Sequence, residues 1–409
     1  MKKRLSVLLV ATCLVTINGF SQKKALFIIA DGIPADVIEK LSTPALDAIA
    51  KEGGYTRAFT GGEKGAYSQT PTISAVSYNT VLTGTWVNKH NVWDNDIAAP
   101  NYHYQTIFRL FESHFPSQKT AIFSSWLDNR TKLVGEGLPA TGNIQLDHHY
   151  DSLEYDTLKF PHDAERNFMH KIDEAVIDHA ASYIRSDAPD LSWIYLEYTD
   201  DMGHMYGDSE KFYKAVEIMD NQVKRIWDAI QYRQQQFGEE WMIVITTDHG
   251  RDSATGKHHG GQSARERTGW IVTNVATNKH FTSGAASIAD IMPSIAGFLQ
   301  LPLSRETAIE ADGVPFTGPV AIAAPDAKIE GGKLFVTWKA LQKKGRAKIL
   351  VATTNHYKTG GKDQYALMKT VRIKKEKATV DISNLKSDFY KVVIETPVNI
   401  LNRWVLVKK

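Results

Sequence analysis

Cysteine is all but missing from this chain: among 409 residues only Cys13 carries a thiol. One cysteine cannot make an intramolecular disulfide or a thiolate metal centre, so any metal must be held by His and Asp. An excess of charge of one sign is missing too. A formal net charge of +2, with no basic run interleaved with aromatics, gives no reason to expect binding to a nucleic-acid duplex. Internal repeats and low-complexity tracts are absent, and no apolar run after the N-terminal one could span a membrane. What is there is ordinary globular composition, 43% hydrophobic and 23% charged. The length suits a large α/β domain plus a smaller one.

The N-terminus reads as a secretory signal over residues 1–22. Lys2-Lys3-Arg4 precedes an apolar stretch at residues 5–17 that is too short to span a bilayer comfortably, and a small or polar exit at residues 18–22 follows. Cleavage is expected near Ser21 or Gln22. Cys13 lies inside this segment; Thr12 before it and the apolar residues after it argue against lipoprotein attachment. The mature chain would then have no thiol, and hence no cysteine nucleophile, and would work in a periplasm or outside the cell.

Three apolar runs end in acid. Val244-Ile245-Thr246-Thr247 leads into Asp248-His249-Gly250, and Ala25-Leu26-Phe27-Ile28-Ile29-Ala30 into Asp31-Gly32. Trp193-Ile194-Tyr195-Leu196-Glu197-Tyr198 leads into Thr199-Asp200-Asp201-Met202-Gly203-His204. Such runs read as buried parallel strands, and open α/β sheets bind ligands beyond the carboxyl ends of their strands. One strand-end aspartate could simply close a loop. Three in the same setting point to a shared rim. Gly32 permits the sharp turn after Asp31, and the spacing of Asp200 and His204 puts both on one face of a helical turn.

Other segments supply the frame. Thr43-Pro44 opens a helix over residues 45–52, with Thr43 as N-cap and Pro44 first in the helix. Ser74 begins a short helix closing at Thr83-Gly84. A hydroxyl there sits at the positive end of the helix dipole, which suits attack on an anionic phosphoryl group; plain N-capping is the competing role. Residues 120–124 and 269–273 read as strands and residues 290–299 as a helix. Phe212, Val216, Met219, Val223, Trp227 and Ile230 mark an amphipathic helix ending near Gly238, which reads as core packing alone. Residues 126–164, irregular and rich in Asp and His, read as an insertion over the catalytic face. His148 and His149 are adjacent and would diverge on an extended loop, which argues against metal ligation.

A Pro/Ala/Gly-containing linker over residues 315–326 separates a catalytic domain (residues 23–320) from a small all-β domain (residues 325–409). Short β runs at residues 334–338, 347–353, 366–373, 378–382, 390–394 and 403–407 suggest an immunoglobulin- or fibronectin-like sandwich. With His356 its only histidine and no acidic cluster at strand ends, it is assigned no chemistry.

Asp31, Asp200, Asp248, His204, His249 and His259 are the oxygen and nitrogen donors that catalytic zinc sites use, and there are enough of them for a two-ion clamp. These residues carry a resemblance to the alkaline phosphatase superfamily, above all to its type I phosphodiesterase/nucleotide pyrophosphatase branch, over about residues 24–318. The matching motifs are Asp31-Gly32, Thr43-Pro44-Ala45-Leu46-Asp47, Ser74 with Thr83-Gly84, residues 90–95, Asp200-x-x-Gly203-His204, Asp248-His249-Gly250, His259-Gly260-Gly261 and Asp290-Ile291-Met292-Pro293-Ser294-Ile295. The resemblance implies an α/β fold with an alkaline-phosphatase-like, mostly parallel central sheet flanked by helices. It implies two Zn2+: one on Asp31, Ser74, Asp248 and His249, the other on Asp200, His204 and His259. His258 competes for the last place; His259 is preferred because glycine follows it. Ser74 would attack phosphorus in line and form a phospho-enzyme, with backbone N–H groups at Ser74-Ala75 holding the non-bridging oxygens.

The chain departs from the branch pattern in having Ser74 where threonine is common, and Ser77, with Asn79 further on, where an asparagine is expected. Serine is the nucleophile of the superfamily's monoesterases. The sulfatase signature would need a proline and an arginine where Val76 and Tyr78 stand. The favoured reading is a secreted two-zinc phosphodiesterase acting on a small-molecule phosphate ester, with Ser77, Asn79, Asn95 and Tyr78 as candidate substrate contacts. Tyr78, Trp93 or Tyr206 could wall a flat leaving group. The alternative is a phosphomonoesterase, which needs a cation for the extra charge; Lys89, Arg130 and Lys132 are the candidates. A sulfatase and a non-catalytic surface-binding protein stand behind these.

Overall fold

The computed structural model describes residues 22–407. Residues 1–21 of the expected signal segment, Cys13 among them, lie outside them. Among the described residues, no helix is long and apolar enough to cross a membrane.

The larger part of the chain is organised by a seven-stranded sheet: β1 (Lys23–Ala30), β2 (Gly54–Phe59), β3 (Thr120–Phe123), β4 (His148–Tyr150), β5 (Leu191–Leu196), β6 (Glu240–Thr246) and β7 (Thr268–Thr273), in the order β2-β7-β6-β1-β5-β3-β4. From β6 through β4 the strands are parallel. β7 joins β6 and β2 antiparallel. Along β1, Leu26, Ile28 and Ala30 face a core built with the helices Asn167–Asp187 and Glu210–Phe237. Ala25, Phe27 and Ile29 face the other way, onto the helices Ser74–Thr83, Ile107–His114 and Ile291–Phe298. Both faces are covered, which is why the central strands β1, β5 and β6 are buried along nearly their whole length instead of alternating.

Two local expectations change. The segment 126–164 is not wholly a surface insertion, because β4 extends the sheet edge by pairing with β3. His148 there stacks on Tyr183 at 3.9 Å between centroids, and its Nε2 lies 2.8 Å from His179 Nε2. Thr43 makes no side-chain cap on the helix Pro44–Glu52. Asp220 takes that role from the long helix: its carboxylate accepts from the backbone N–H of Ala45 at 3.0 Å and Leu46 at 2.9 Å. The amphipathic helix therefore does more than pack.

The C-terminal part forms two antiparallel sheets from β8 (Ile322–Glu330), β9 (Lys333–Ala340), β10 (Arg346–Ala352), β11 (Ala366–Arg372), β12 (Lys377–Asp381), β13 (Phe389–Glu395) and β14 (Ile400–Leu406), ordered β11-β10-β13-β14 and β12-β9-β8. β8 begins inside the stretch expected to be a linker. The two parts are joined by buried polar contacts. Lys89 Nζ donates to the Glu310 carbonyl at 2.7 Å, Asp312 Oδ1 at 2.6 Å and Asn402 Oδ1 at 2.9 Å.

Candidate active site

The parallel register sets Ala30 beside Leu196, and Ile29 beside Thr246. The residues that follow these strands, Asp31, Glu197 and Asp248, therefore emerge at one rim. Gly32 turns the chain there with φ 67°, and its N–H donates to Asp248 Oδ1 at 3.0 Å. Asp31 Oδ2 accepts from the hydroxyls of Tyr78 and, at 2.8 Å, Tyr195. Each carboxylate thus spends one oxygen on the protein. The other two oxygens, Asp31 Oδ1 and Asp248 Oδ2, are buried without a hydrogen-bond partner, as is His249 Nε2. These three atoms converge, with His249 Nε2 3.4 Å from Asp31 Oδ1 and 3.2 Å from Asp248 Oδ2.

The imidazoles have a defined tautomer. His249 Nδ1 lies 3.0 Å from the Gly250 carbonyl and His259 Nδ1 2.8 Å from the Thr72 carbonyl. A carbonyl only accepts, so Nδ1 carries the proton in both rings and Nε2 presents a bare lone pair. The helix Tyr198–Tyr206 puts Asp200 and His204 on one face, with His204 Nε2 3.2 Å from Asp200 Oδ2 and 3.0 Å from His259 Nε2. Ligand atoms of Asp31, Asp248 and His249 lie within 4.8 Å of one another, as do those of Asp200, His249 and His259. His258 is exposed, and its backbone N–H bonds Asp252.

Electrostatics agree with a centre built for cations. Burial, together with the neighbouring Asp248 and Asp200 charges, pushes the Asp31 carboxyl well up. Burial raises Asp248 to about 7 and drives His249 well down. Burial acts to raise Asp200 as well, but the Arg251 charge and the His204 contact outweigh it and hold that carboxyl below its usual range. Carboxylates crowded without enough countercharge, beside bare imidazole nitrogens, are a donor set that divalent cations fit.

Ser74 is the first residue of its helix and lines a cleft of about 190 Å3 together with Asp31, Tyr78, Asn95, Trp126, Glu154, Tyr195, Glu197 and Asp200. Ser77 and Asn79 are buried on the same helix and do not line the cleft. The Ala75 N–H, expected to face a phosphoryl oxygen, donates instead to Asn95 Oδ1 at 3.0 Å. That bond leaves the Asn95 amide NH2 as a donor at the cleft. Tyr78 is fully buried and serves Asp31. Trp93 is 53% exposed, bonded to Asn91, and Tyr206 lies under Lys211. Neither lines the cleft; its aromatic lining is Trp126, Tyr78 and Tyr195.

Sequence reasoning passed over Trp126, Glu154, Tyr195 and Glu197. Glu197 ends a strand as Asp31 does, so the rule that found Asp31 could have found it; Glu154 carries no comparable signal. Burial pushes Glu197 up to about 8.

Residues 25–278 match the family model described as type I phosphodiesterase / nucleotide pyrophosphatase. The chain belongs to this family. A human relative, ectonucleotide pyrophosphatase/phosphodiesterase family member 7, is 23% identical over 238 residues, 56% of this chain and 48% of the relative. The match thus spans about half that relative's length. Among solved structures, a 2-O GAG sulfatase superposes with a TM-score of 0.51 at 10% identity, covering 88% of this chain and 85% of the other. A putative sulfatase from Bacteroides thetaiotaomicron gives 0.50 at 11%, covering 89% and 86%. At such identities the likeness is one of fold: this type I phosphodiesterase family chain shares its α/β architecture with sulfatases.

Proposed function

We propose that the chain is an exported phosphoric diester hydrolase that holds two divalent cations, zinc by the chemistry of its donors, and uses Ser74 as nucleophile. The observation that carries this reading is the convergence of Asp31 Oδ1, Asp248 Oδ2 and His249 Nε2, all buried and all unpartnered. Asp31, Ser74, Asp248 and His249 would hold one ion; Asp200, His204 and His259 would hold the other. Bound there, divalent cations would supply Lewis acidity, easing ionisation of the serine hydroxyl and offsetting charge on phosphoryl and leaving oxygens. Ser74 Oγ forms a bond to phosphorus as the ester oxygen departs, and water then cleaves the serine phosphate. The helix N-terminus under Ser74 favours the anionic group, and the Asn95 amide donates to one of its oxygens.

Diester over monoester preference is supported by where the cations are. Arg130 is bonded to Asp151 and Glu136 at 2.5 Å each, and Lys132 is 2.8 Å from Asp128. Lys89 is buried in the join between the two parts of the chain. None of the three lines the cleft beside Ser74 to meet the second charge of a monoester.

The test is turnover of bis-p-nitrophenyl phosphate, p-nitrophenyl phosphate, a p-nitrophenyl phosphonate ester and p-nitrophenyl sulfate, with and without chelator. The diester is expected to be preferred, chelator to abolish turnover, and Ser74→Ala to be inactive with its metal content retained. Equal or faster monoester turnover would favour the phosphomonoesterase, and full activity of Ser74→Ala would remove the nucleophile.

A further inference from the structure

Arg251 follows Asp248-His249-Gly250 and is fully buried, with 0% of its surface exposed. A buried guanidinium must have its donors satisfied, and here they are divided among three segments. Nε donates to the Gly32 carbonyl at 2.8 Å, Nη1 to the Lys257 carbonyl at 3.2 Å, and Nη2 to the Asp200 carbonyl at 2.8 Å and to Asp200 Oδ1. Gly32 follows Asp31, and Lys257 lies two residues before His259. One planar fork therefore ties together the turns that carry Asp31, Asp200 and His259.

Two glycines make room for it. A Cβ at Gly203 would lie 2.1 Å from the guanidinium carbon, and one at Gly32 would lie 2.6 Å from Nη2. Gly203 sits within the helix Tyr198–Tyr206, where alanine has the better propensity. The passage of Arg251 is what requires glycine there.

We propose that Arg251 is a positioning residue. It occupies Asp200 Oδ1 and fixes the carboxylate so that Oδ2, 3.2 Å from His204 Nε2, is the oxygen offered to the ion of the Asp200–His204–His259 site. This rests on the two-cation reading above. The planar fork does the work, so lysine, which keeps the charge but cannot bridge three segments, will not substitute. Removing the fork weakens the Asp200–His204–His259 site and leaves the Asp31–Asp248–His249 site intact.

The experiment is metal analysis of the full chain dialysed against graded competing chelator, with near-ultraviolet circular dichroism to confirm the fold. Wild type should release its ions in two steps. Arg251→Met and Arg251→Lys should both lose one ion at chelator levels at least tenfold lower than wild type requires, with the other ion unchanged. Gly203→Ala, which leaves Arg251 in the chain but displaces its guanidinium, should do the same if the Arg251 variants fail to fold. It should add nothing further in an Arg251→Met background. Wild-type release behaviour in Arg251→Met or, where that fails to fold, in Gly203→Ala overturns the proposal. So does full retention by Arg251→Lys, or joint loss of both ions, which would mark a general scaffold role. A wild-type chain that binds fewer than two ions overturns the two-cation reading itself, and this inference with it.

Discussion

The Tyr195 hydroxyl donates a 2.8 Å hydrogen bond to Asp31 Oδ2, from the strand next to the one that carries Asp31. Tyr78 donates to the same oxygen from the helix that Ser74 begins. Two donors on one oxygen fix the carboxylate plane and leave Oδ1, buried and unpartnered, as the atom the proposed cation would take. Partners of this kind cost about 10–100-fold in metal affinity or activity when removed. Tyr195→Phe is expected to lose activity in that range and to regain part of it with added zinc. Wild-type kinetics across a zinc titration would show that the bond does not orient the ligand.

Asp220 reaches from the middle of one helix to the N-terminus of another and satisfies two buried backbone donors there. Asp220→Ala leaves both without a partner, at a cost of about 1–3 kcal/mol for each. Urea denaturation should show that loss with activity per folded molecule unchanged, and Asp220→Asn should recover part of it. An unaltered midpoint would mean that water replaces the cap.

Lys89 is a structural cation. Its ammonium is bound by Asp312, Asn402 and the Glu310 carbonyl, and removing one partner of a buried ion pair costs about 3–5 kcal/mol. Lys89→Met should lower the unfolding temperature while leaving the diester-to-monoester rate ratio unchanged. A selective loss of monoester turnover would place Lys89 at the substrate.

His90 is buried between the Val92 N–H, which bonds Nδ1 at 3.1 Å, and Thr80 Oγ1, 3.1 Å from Nε2. Burial pulls its pKa down to about 3, below the unfolded value of about 6.5. Between these values the unfolded chain takes up a proton that the folded chain refuses. The stability from neutral His90 is therefore complete above about pH 6.5 and is lost on acidification at up to about 1.4 kcal/mol per pH unit. His90→Asn should shrink the stability difference between pH 7 and pH 5 by about 2 kcal/mol relative to wild type, measured by urea unfolding at both pH values. An identical difference in the two proteins would show that His90 does not resist protonation.

The rim of acids was legible because each apolar run, from Ala25, Trp193 and Val244, stops at a carboxylate, a purely local pattern. Ser74 was legible for a similar reason, since helix start and glycine stop lie within one short segment. What escaped was long-range. Gly32 and Asp248 are 216 residues apart in sequence, and nothing near Asp220 announces that it caps Pro44–Glu52. Arg251 looks like any charged loop residue until Gly203 is seen to lack the side chain that would displace it. β2 was missed because its burial is broken and it is held by pairing with β7, and β4 because three residues carry no periodicity.

The most direct test of the account is anomalous diffraction at the zinc edge on crystals of the zinc-loaded chain, with metal content measured on the same batch. Two anomalous peaks are predicted, one bounded by Asp31, Asp248 and His249 beside Ser74, the other by Asp200, His204 and His259. A single peak, or metal bound away from these residues, would contradict it.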